Sequence, residues 1–373
     1  MKSRLGTILI SLVIVLSSLL VGCNAVNPSP VGKVTVTDLL GREVAIPANV
    51  TRVIAIGPGA LRLYVYAGDP DYVVGVEQME ANSPTGRPYM LANPDLAELP
   101  IIGQGGPNNA PDPERILTVA PDVIFSTYAT EASVADELQA KTGIPVVVIS
   151  YGDSGFGVTD LFAASVPDSL ELIGQVIGYD AKAQTAVDYL HQALEDLGAR
   201  TRDIQDAHKP TVYVGGLGAR GTHGIESTQG DYSLLSAIHA KNVVDETGQT
   251  GSMMIDKEKL LAWDPDYLFV DLGGLAAVLE DYQKNPAIYE SLSAVQNGLV
   301  YTQLPFNYYN SNIDTAIADA YYLGTVLYPE AFADIDPVAK ADEVYQALVG
   351  TPVYAQMAED FGGGFRQLNL SEE

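Results

Sequence analysis

The sequence predicts an α/β protein with two Rossmann-like lobes, each built on a mainly parallel β-sheet, joined by one long α-helix. Three observations predict this fold. A helix–strand segment occurs twice in the chain, strand-like and helix-like stretches alternate around both copies, and one amphipathic stretch lies between the copies. The length is compatible with two domains, because 373 residues suffice for two hydrophobic cores.

The repeat is clearest in Glu114–Phe125 (ERILTVAPDVIF) and Glu258–Phe269 (EKLLAWDPDYLF), which share Glu, a basic residue, Leu, Pro-Asp and Phe at equal offsets. Each copy predicts a short helix stopped near Pro and a buried strand after it. Matched strand-like runs precede and follow the two copies, at 52–59 and 211–218 and at 145–150 and 298–302. We therefore predict an N-terminal lobe over residues 34–165 and a C-terminal lobe over residues 209–373.

The segment between the lobes, residues 166–208, predicts a helical linker. Asp180 is a suitable cap, and apolar residues follow at helical spacing, namely Ala183, Ala186, Val187, Leu190, Leu194 and Leu197. The helix is expected to reach about Ile204, roughly 36 Å at 1.5 Å per residue. Such a helix is a stiff hinge. The C-terminal lobe is expected to end in three further helices, over 313–327, 338–348 and 353–361.

The N-terminus predicts a signal peptide over residues 1–22. A basic start precedes the apolar run Leu5–Val21, which is short for a membrane-spanning helix of about 20 residues. The next residue but one is the only cysteine, Cys23, in Leu-Val-Gly-Cys, which resembles the lipobox of bacterial lipoproteins. The resemblance implies cleavage before Cys23 and lipidation of its thiol. A membrane-anchor helix with an incidental cysteine is the alternative. Residues 23–33 predict a flexible tether.

Charge and metal-ligand content argue against several function classes. The chain carries 20 Lys and Arg against 47 Asp and Glu, a net charge of −27, so nucleic acid is not the expected partner. One cysteine leaves no cluster for zinc or iron–sulfur ligation. The four histidines are scattered: His191 and His208 on the linker, His239 in a helical stretch and His223 in a loop. We predict no cofactor and no site for a bare zinc or manganese ion, and a carboxylate-rich metal site is the alternative.

Two motifs resemble catalytic sequences, and neither is complete. Gly216–Gly221 fits G-x-G-x-x-G, but a polar loop over residues 222–231 separates it from any helix that would bind a pyrophosphate. Gly152–Gly155 (GDSG) resembles a serine-protease nucleophile loop, yet no histidine precedes Ser154 as that chain order requires. We therefore predict a protein that is not an enzyme. An extracytoplasmic oxidoreductase with a bound dinucleotide is the alternative from another class.

Polar and Gly-rich turns follow the predicted strands of both lobes, and ligands of open α/β sheets bind at the carboxyl ends of strands. If the lobes face each other, these turns line one cleft. Arg62 and Arg220, together with Arg87, are candidates for gripping an anionic ligand, and a surface ion pair is the alternative for each. The candidate ligand-binding residues are Pro58, Gly59, Arg62, Asn108, Tyr128, Tyr151, Arg220, His223, Asn307, Tyr308 and Tyr309.

Several motifs in this order resemble the substrate-binding lipoproteins of ABC transporters for iron–siderophore and cobalamin uptake. They are the lipobox, Val34–Val44, Thr51–Ile56 with its Gly-Pro turn, Val73–Val76, the repeated Pro-Asp element and the single interlobe helix. The resemblance implies a ligand held between two Rossmann-like lobes with modest closure, and docking on a permease powered by an ATPase. Family members commonly carry Thr-Glu where this chain has Leu61 and Arg62. Either the acidic docking contact is missing here, or Arg62 serves the ligand.

The leading hypothesis is a lipid-anchored, extracytoplasmic monomer that captures a metal chelate, of the iron–siderophore, haem or corrinoid type, and delivers it to a permease. An oxyanion such as molybdate or tungstate is the alternative ligand, favoured by Arg62 and Arg220. A chelatase-like or sensory protein of the same fold, coupled to no permease, is a further alternative.

Overall fold

Two separate parallel β-sheets form the framework of the protein, which confirms the predicted α/β fold. The computed structural model describes residues 32–152, 163–218 and 221–373. We call residues 33–152 the first half and residues 209–373 the second half. The boundaries of the predicted lobes stay a prediction, because residues 33–373 form one continuous unit. The predicted signal peptide and Cys23 lie outside the described residues.

The first half combines a hairpin with a three-stranded parallel sheet. Its strands β1–β5 are Lys33–Thr37, Glu43–Pro47, Val53–Ile56, Val123–Ser126 and Val146–Val148. Its helices α1–α5 are Ala60–Ala67, Gln78–Ala81, Pro88–Ala92, Pro113–Val119 and Ala132–Thr142. Strands β1 and β2 pair antiparallel, and the sheet order is β3-β4-β5. The Asp38 carboxylate fastens the hairpin to β5 by accepting a hydrogen bond from the Val148 N–H at 3.2 Å.

Two consecutive helices connect the halves, α6 (Ser165–Ile177) and α7 (Asp180–Thr201). Helix α7 confirms the predicted long interlobe helix, and at 22 residues it is about 33 Å long. The predicted apolar stripe faces inward, because all of its members are buried except Leu194, which is half-buried.

The second half contains the larger sheet. Its strands β6–β11 are Thr211–Gly215, Ser227–Gly230, Lys241–Asn242, Gly251–Met254, Tyr267–Asp271 and Val300–Gln303. Its helices α8–α15 are Ser233–Ala237, Lys257–Trp263, Leu275–Lys284, Pro286–Glu290, Ser293–Gln296, Ile313–Leu327, Pro337–Val349 and Tyr354–Asp360. The parallel order is β11-β10-β6-β8, and β7 pairs antiparallel with β9. The last three helices confirm the predicted C-terminal helices.

Strand β7 corrects the prediction of an uninterrupted polar loop over residues 222–231. All four residues of β7 are buried although three of them are polar. Their hydroxyls are satisfied inside the fold: Thr228 Oγ1 donates to the Val214 carbonyl at 2.7 Å, and Ser227 Oγ donates to the Leu217 carbonyl at 2.7 Å. Hydrophobic patterning misses a strand whose buried side chains are polar and internally hydrogen-bonded.

The sequence repeat corresponds to a structural repeat. In both copies a short helix ends on a residue with left-handed backbone, Ala120 (φ 43°) and Asp264 (φ 41°), before a buried strand. The Asp of the Pro-Asp pair makes equivalent hydrogen bonds in the two copies. The Asp122 carboxylate accepts from the N–H groups preceding β3, and the Asp266 carboxylate accepts from the Thr211 N–H that begins β6. Each Asp therefore ties its own strand to the start of the neighbouring strand.

One hydrophobic core continues from the first half through α7 into the second half. Helix α1 lies inside it: all eight of its residues are buried, and it contacts α6, α7 and α14. Any polar side chain on α1 must therefore find its partners inside the protein. Its polar side chains are those of Arg62, Tyr64 and Tyr66, and of these Arg62 carries the one charge.

We expect Asp122→Ala and Asp266→Ala each to lower the free energy of unfolding by about 1–2 kcal/mol, because each removes the acceptor of two hydrogen bonds at a strand start. Urea denaturation measures the change. The exposed Asp95→Ala is the control for loss of one negative charge. A loss of unfolding free energy in one of these two variants and none in the other would contradict equivalent roles of Asp122 and Asp266.

Candidate ligand-binding site

A cavity of about 850 Å³ opens at the carboxyl ends of the strands of the first sheet. Its volume is within the range of about 300–1,000 Å³ that is usual for small-molecule sites. Three first-half turns, those that follow β3, β4 and β5, contribute half of the residues of the described wall, as expected for a parallel sheet. The second half contributes Asn307 and Asn310.

The structure brings five of the predicted ligand-binding residues together in the wall of this cavity, namely Pro58, Asn108, Tyr128, Tyr151 and Asn307. Gly59 lies directly behind them. It has a left-handed backbone (φ 80°), and a Cβ there would be 2.6 Å from the Tyr151 ring, so only glycine fits. The other candidates do not line the cavity, and Arg220 is outside the described residues.

The wall also contains residues that are not among the candidates named from the sequence: Leu39, Leu40, Thr127, Ser150, Asp168 and Asn310. The sequence could have identified Asn310 and Thr127 as candidates, because they belong to polar turns at strand ends. Leu39 and Leu40 could not be identified from the sequence. They line the cavity because the β1–β2 turn folds onto β5, where the Leu39 N–H donates to the Val148 carbonyl at 3.1 Å.

The described wall carries no basic side chain, and its one charged side chain is that of Asp168. The remaining polar groups are amides, hydroxyls and the phenols of Tyr128 and Tyr151. Such a wall offers hydrogen-bond donors and acceptors and two aromatic faces without a net positive charge.

Arg62 is fully buried beneath the cavity, so the alternative of a surface ion pair is wrong for this residue. All five of its N–H donors are used. Nε donates to Asn312 Oδ1 at 2.8 Å, Nη1 donates to Tyr151 Oη at 3.0 Å and the Ser311 carbonyl at 2.9 Å, and Nη2 donates to the carbonyls of Tyr308 at 2.7 Å and Tyr309 at 3.3 Å. In this structure the guanidinium bonds three backbone carbonyls and two side-chain oxygens of the protein itself.

The surroundings of Arg62 keep it charged. Burial alone would lower its pKa, but nearby phenols, first that of Tyr151, raise the pKa above its ordinary value. The guanidinium also lies over the Tyr89 ring, 4.9 Å from the centroid.

Tyr309 forms a second link between the halves. Its hydroxyl donates to Glu77 Oε2 at 2.7 Å and accepts from the Gly106 N–H at 2.7 Å. The same carboxylate oxygen accepts from the Gly57 N–H at 3.0 Å. Burial raises the pKa of Glu77 to about 7, against the opposing effect of these hydrogen bonds. Arg87 stacks on the Tyr309 ring at 5.4 Å and pairs with the buried Glu80 at 3.2 Å, so its ion pair is internal and not on the surface.

The two remaining candidates, Tyr308 and His223, lie outside the described wall of the cavity. The Tyr308 ring covers Gly86 and lies 5.4 Å from the Phe361 ring. His223 is half-buried, and its carbonyl oxygen packs against Gly274. The described residues contain no group of three or more His, Cys, Asp or Glu side chains that could hold a metal ion.

The dinucleotide alternative gains no support from the structure. The element after the Gly216–Gly221 motif is strand β7, not a helix, so no helix N-terminus faces a pyrophosphate there. No helix among the described residues has the length and apolar character needed to cross a membrane.

We expect Glu77→Gln to change the pH dependence of stability. The folded-state pKa of Glu77 is about 7 against an ordinary 4.5, so between these pH values the unfolded chain loses a proton that the folded chain keeps. This contribution makes the wild type less stable as pH rises through that window. The stability of Glu77→Gln relative to wild type should therefore rise by up to about 3 kcal/mol from pH 4.5 to 7.

Urea denaturation over this pH range measures the difference, with the exposed Glu98→Gln as the control for loss of one negative charge. A stability difference between Glu77→Gln and wild type that is independent of pH would contradict the raised pKa.

Comparison with known proteins places the chain among binding proteins. It is 23% identical over 356 residues to the molybdate-binding protein MolA of Haemophilus influenzae, covering 90% of this chain and 97% of that protein. It is 21% identical over 304 residues to YvrC of Bacillus subtilis, an uncharacterized ABC transporter substrate-binding lipoprotein, covering 81% and 87%.

Solved structures share the fold. MolA bound to molybdate superimposes with a TM-score of 0.66 at 21% identity, covering 86% of this chain and 98% of that chain. Helicobacter pylori CeuE in a Ni–His complex superimposes with a TM-score of 0.59 at 18% identity, covering 88% and 99%. The profile of the family described as "Periplasmic binding protein" matches residues 53–305, which is more than half of the chain. The chain therefore belongs to the periplasmic binding protein family.

Proposed function

We propose that this chain, the substrate-binding protein of an ABC transporter, captures a small metal chelate in the cavity and delivers it to the permease. The observation that carries the proposal is the cavity itself. Its volume is about 850 Å³, and its described wall combines amides, hydroxyls and two tyrosine rings without a basic side chain. A chelate of several hundred Å³ fills such a space, whereas a bare ion occupies a small part of it.

The wall suits the organic part of a chelate. Tyrosine faces pack against apolar or planar portions, and the side-chain amides of Asn108, Asn307 and Asn310 supply donors and acceptors for its polar periphery. The metal would remain coordinated by its organic ligand, which agrees with the lack of a metal-binding cluster among the described residues. The proposed role is binding and delivery, without bond chemistry.

An oxyanion such as molybdate or tungstate is the second candidate ligand. The similarity to MolA along 90% of the chain favours it. Within the described wall the donors for an oxyanion would be neutral amides and hydroxyls. Arg220 remains a predicted anion contact, because it lies outside the described residues.

Family membership implies a location outside the cytoplasm and work with a permease and its ATPase. We further propose that the protein is a monomer anchored by a lipid on Cys23. The Leu-Val-Gly-Cys sequence and the similarity to a substrate-binding lipoprotein support the anchor. Mass spectrometry of the mature N-terminus tests it: acylated Cys23 is expected as the first residue, and an unmodified thiol would overturn the anchor.

Equilibrium titration of the full-length protein with haem, cyanocobalamin, a ferric hydroxamate siderophore and molybdate tests the ligand class. We expect at least one of the three chelates to bind. Tyr128→Ala should weaken that binding about tenfold, the loss expected for one aromatic contact, because the Tyr128 ring lines the cavity. Tyr72→Ala is the matched control, since Tyr72 is also half-buried but packs against Tyr179 outside the cavity.

Binding of molybdate alone, with Tyr128→Ala unchanged, would favour the oxyanion instead. Binding of none of the four compounds would overturn both candidate ligands.

A further inference from the structure

Arg62 is hydrogen-bonded to Tyr151, a residue that the first half contributes to the cavity wall. Tyr151 lines the cavity, and its hydroxyl bonds groups that are buried behind the cavity wall. That hydroxyl accepts from Arg62 Nη1 at 3.0 Å and donates to the Gly59 carbonyl at 3.1 Å. The orientation of a ring in the wall is therefore set by bonds made behind the wall.

The same guanidinium is also hydrogen-bonded to the segment that the second half contributes to the cavity wall. Asn307 and Asn310 line the cavity, and the backbone carbonyls of their neighbours Tyr308, Tyr309 and Ser311 accept from Arg62. Asn312 completes the arrangement by accepting from Arg62 Nε and by donating to the Gly86 and Phe306 carbonyls. We call residues 306–312 the clasp segment.

The clasp segment needs an external restraint. Tyr309 (φ 51°) and Asn310 (φ 73°) both have left-handed backbone, which L-residues other than glycine adopt only at an energetic cost. Its two cavity residues are also anchored individually: Asn310 Nδ2 donates to the Pro58 carbonyl at 3.2 Å, and Asn307 Nδ2 donates to the Gly218 carbonyl at 2.8 Å. Arg62 bonds three carbonyls on the buried side of the same segment.

We propose that Arg62 is a positioning residue that holds Tyr151 and the clasp segment at the separation the ligand requires, and that it does not contact the ligand. This inference rests on the proposed binding function. The donors of Arg62 are already used by the protein, and Arg62 belongs to helix α1, which is enclosed by both halves. Arginine is required because its planar fork presents five donors in fixed directions, whereas lysine presents three donors from one point.

Arg62→Lys is the main test, because it keeps the positive charge and removes the fork. A residue that acted on a ligand through its charge would retain most of its effect in this variant. A positioning residue would not. Arg200→Lys is the matched control: Arg200 also donates to a backbone carbonyl, that of Ala331, and to two carboxylates, but it lies on α7 away from the cavity.

Hydrogen–deuterium exchange of the ligand-free, full-length protein gives the first measurement. We expect amides of the clasp segment to exchange at least about tenfold faster in Arg62→Lys than in wild type, since its carbonyls lose their restraint. The Arg200→Lys control should match wild type there. Equal exchange in Arg62→Lys and wild type would overturn the proposal, whatever the protein binds.

Titration with the same four compounds gives the second measurement. Any compound that wild type binds should bind Arg62→Lys at least about tenfold more weakly and Arg200→Lys equally well. Wild-type affinity in Arg62→Lys would overturn the proposal. If wild type binds none of the four, the proposed ligand classes fail, while the exchange measurement still decides the positioning of the clasp segment.

Tyr151→Phe decides the case in which Arg62→Lys does not fold. This variant keeps the aromatic ring and removes the hydroxyl that bonds Arg62 and Gly59. Binding is expected to weaken severalfold, and unchanged binding would overturn the proposal.

Discussion

The buried guanidinium of Arg62 constrains the structure around it. A charged group without solvent costs several kcal/mol unless every donor is satisfied. Its five acceptors come from Tyr151 in the first half and from residues 308–312 in the second half, 246 to 250 positions away along the chain. The halves must therefore meet with these groups in place, or the interior contains an unpaired charge.

This constraint connects the core to the cleft. The residues that accept hydrogen bonds from Arg62 belong to the cavity wall or are near it in sequence. The same hydrogen bonds therefore join the two halves and shape the binding surface. Tyr309 and Glu77 form a parallel link a short distance away. In a chain with a net charge of −27, a rare cation is used internally, and the described cavity wall carries no basic side chain.

The fold was predictable because its signals are local. The repeated Pro-Asp element, the stripe on α7 and the alternation of strands and helices depend on neighbours within a few residues, and the structure bears each of them out. Pro58, Tyr128 and Tyr151 were predictable from parallel topology, because they lie in the turns after β3, β4 and β5. The role of Arg62 did not, because whether an arginine grips a ligand or a distant backbone depends on tertiary partners. Strand β7 was missed for the same reason, since its buried polar groups are satisfied by residues outside the strand.

A crystal structure of the full-length protein with its bound ligand tests the central claim most directly. The account predicts a ligand in the cavity between Tyr128 and the two asparagines, with Arg62 still donating to the carbonyls of the clasp segment. A ligand bonded to the Arg62 guanidinium, or one bound outside the cavity, would contradict the account.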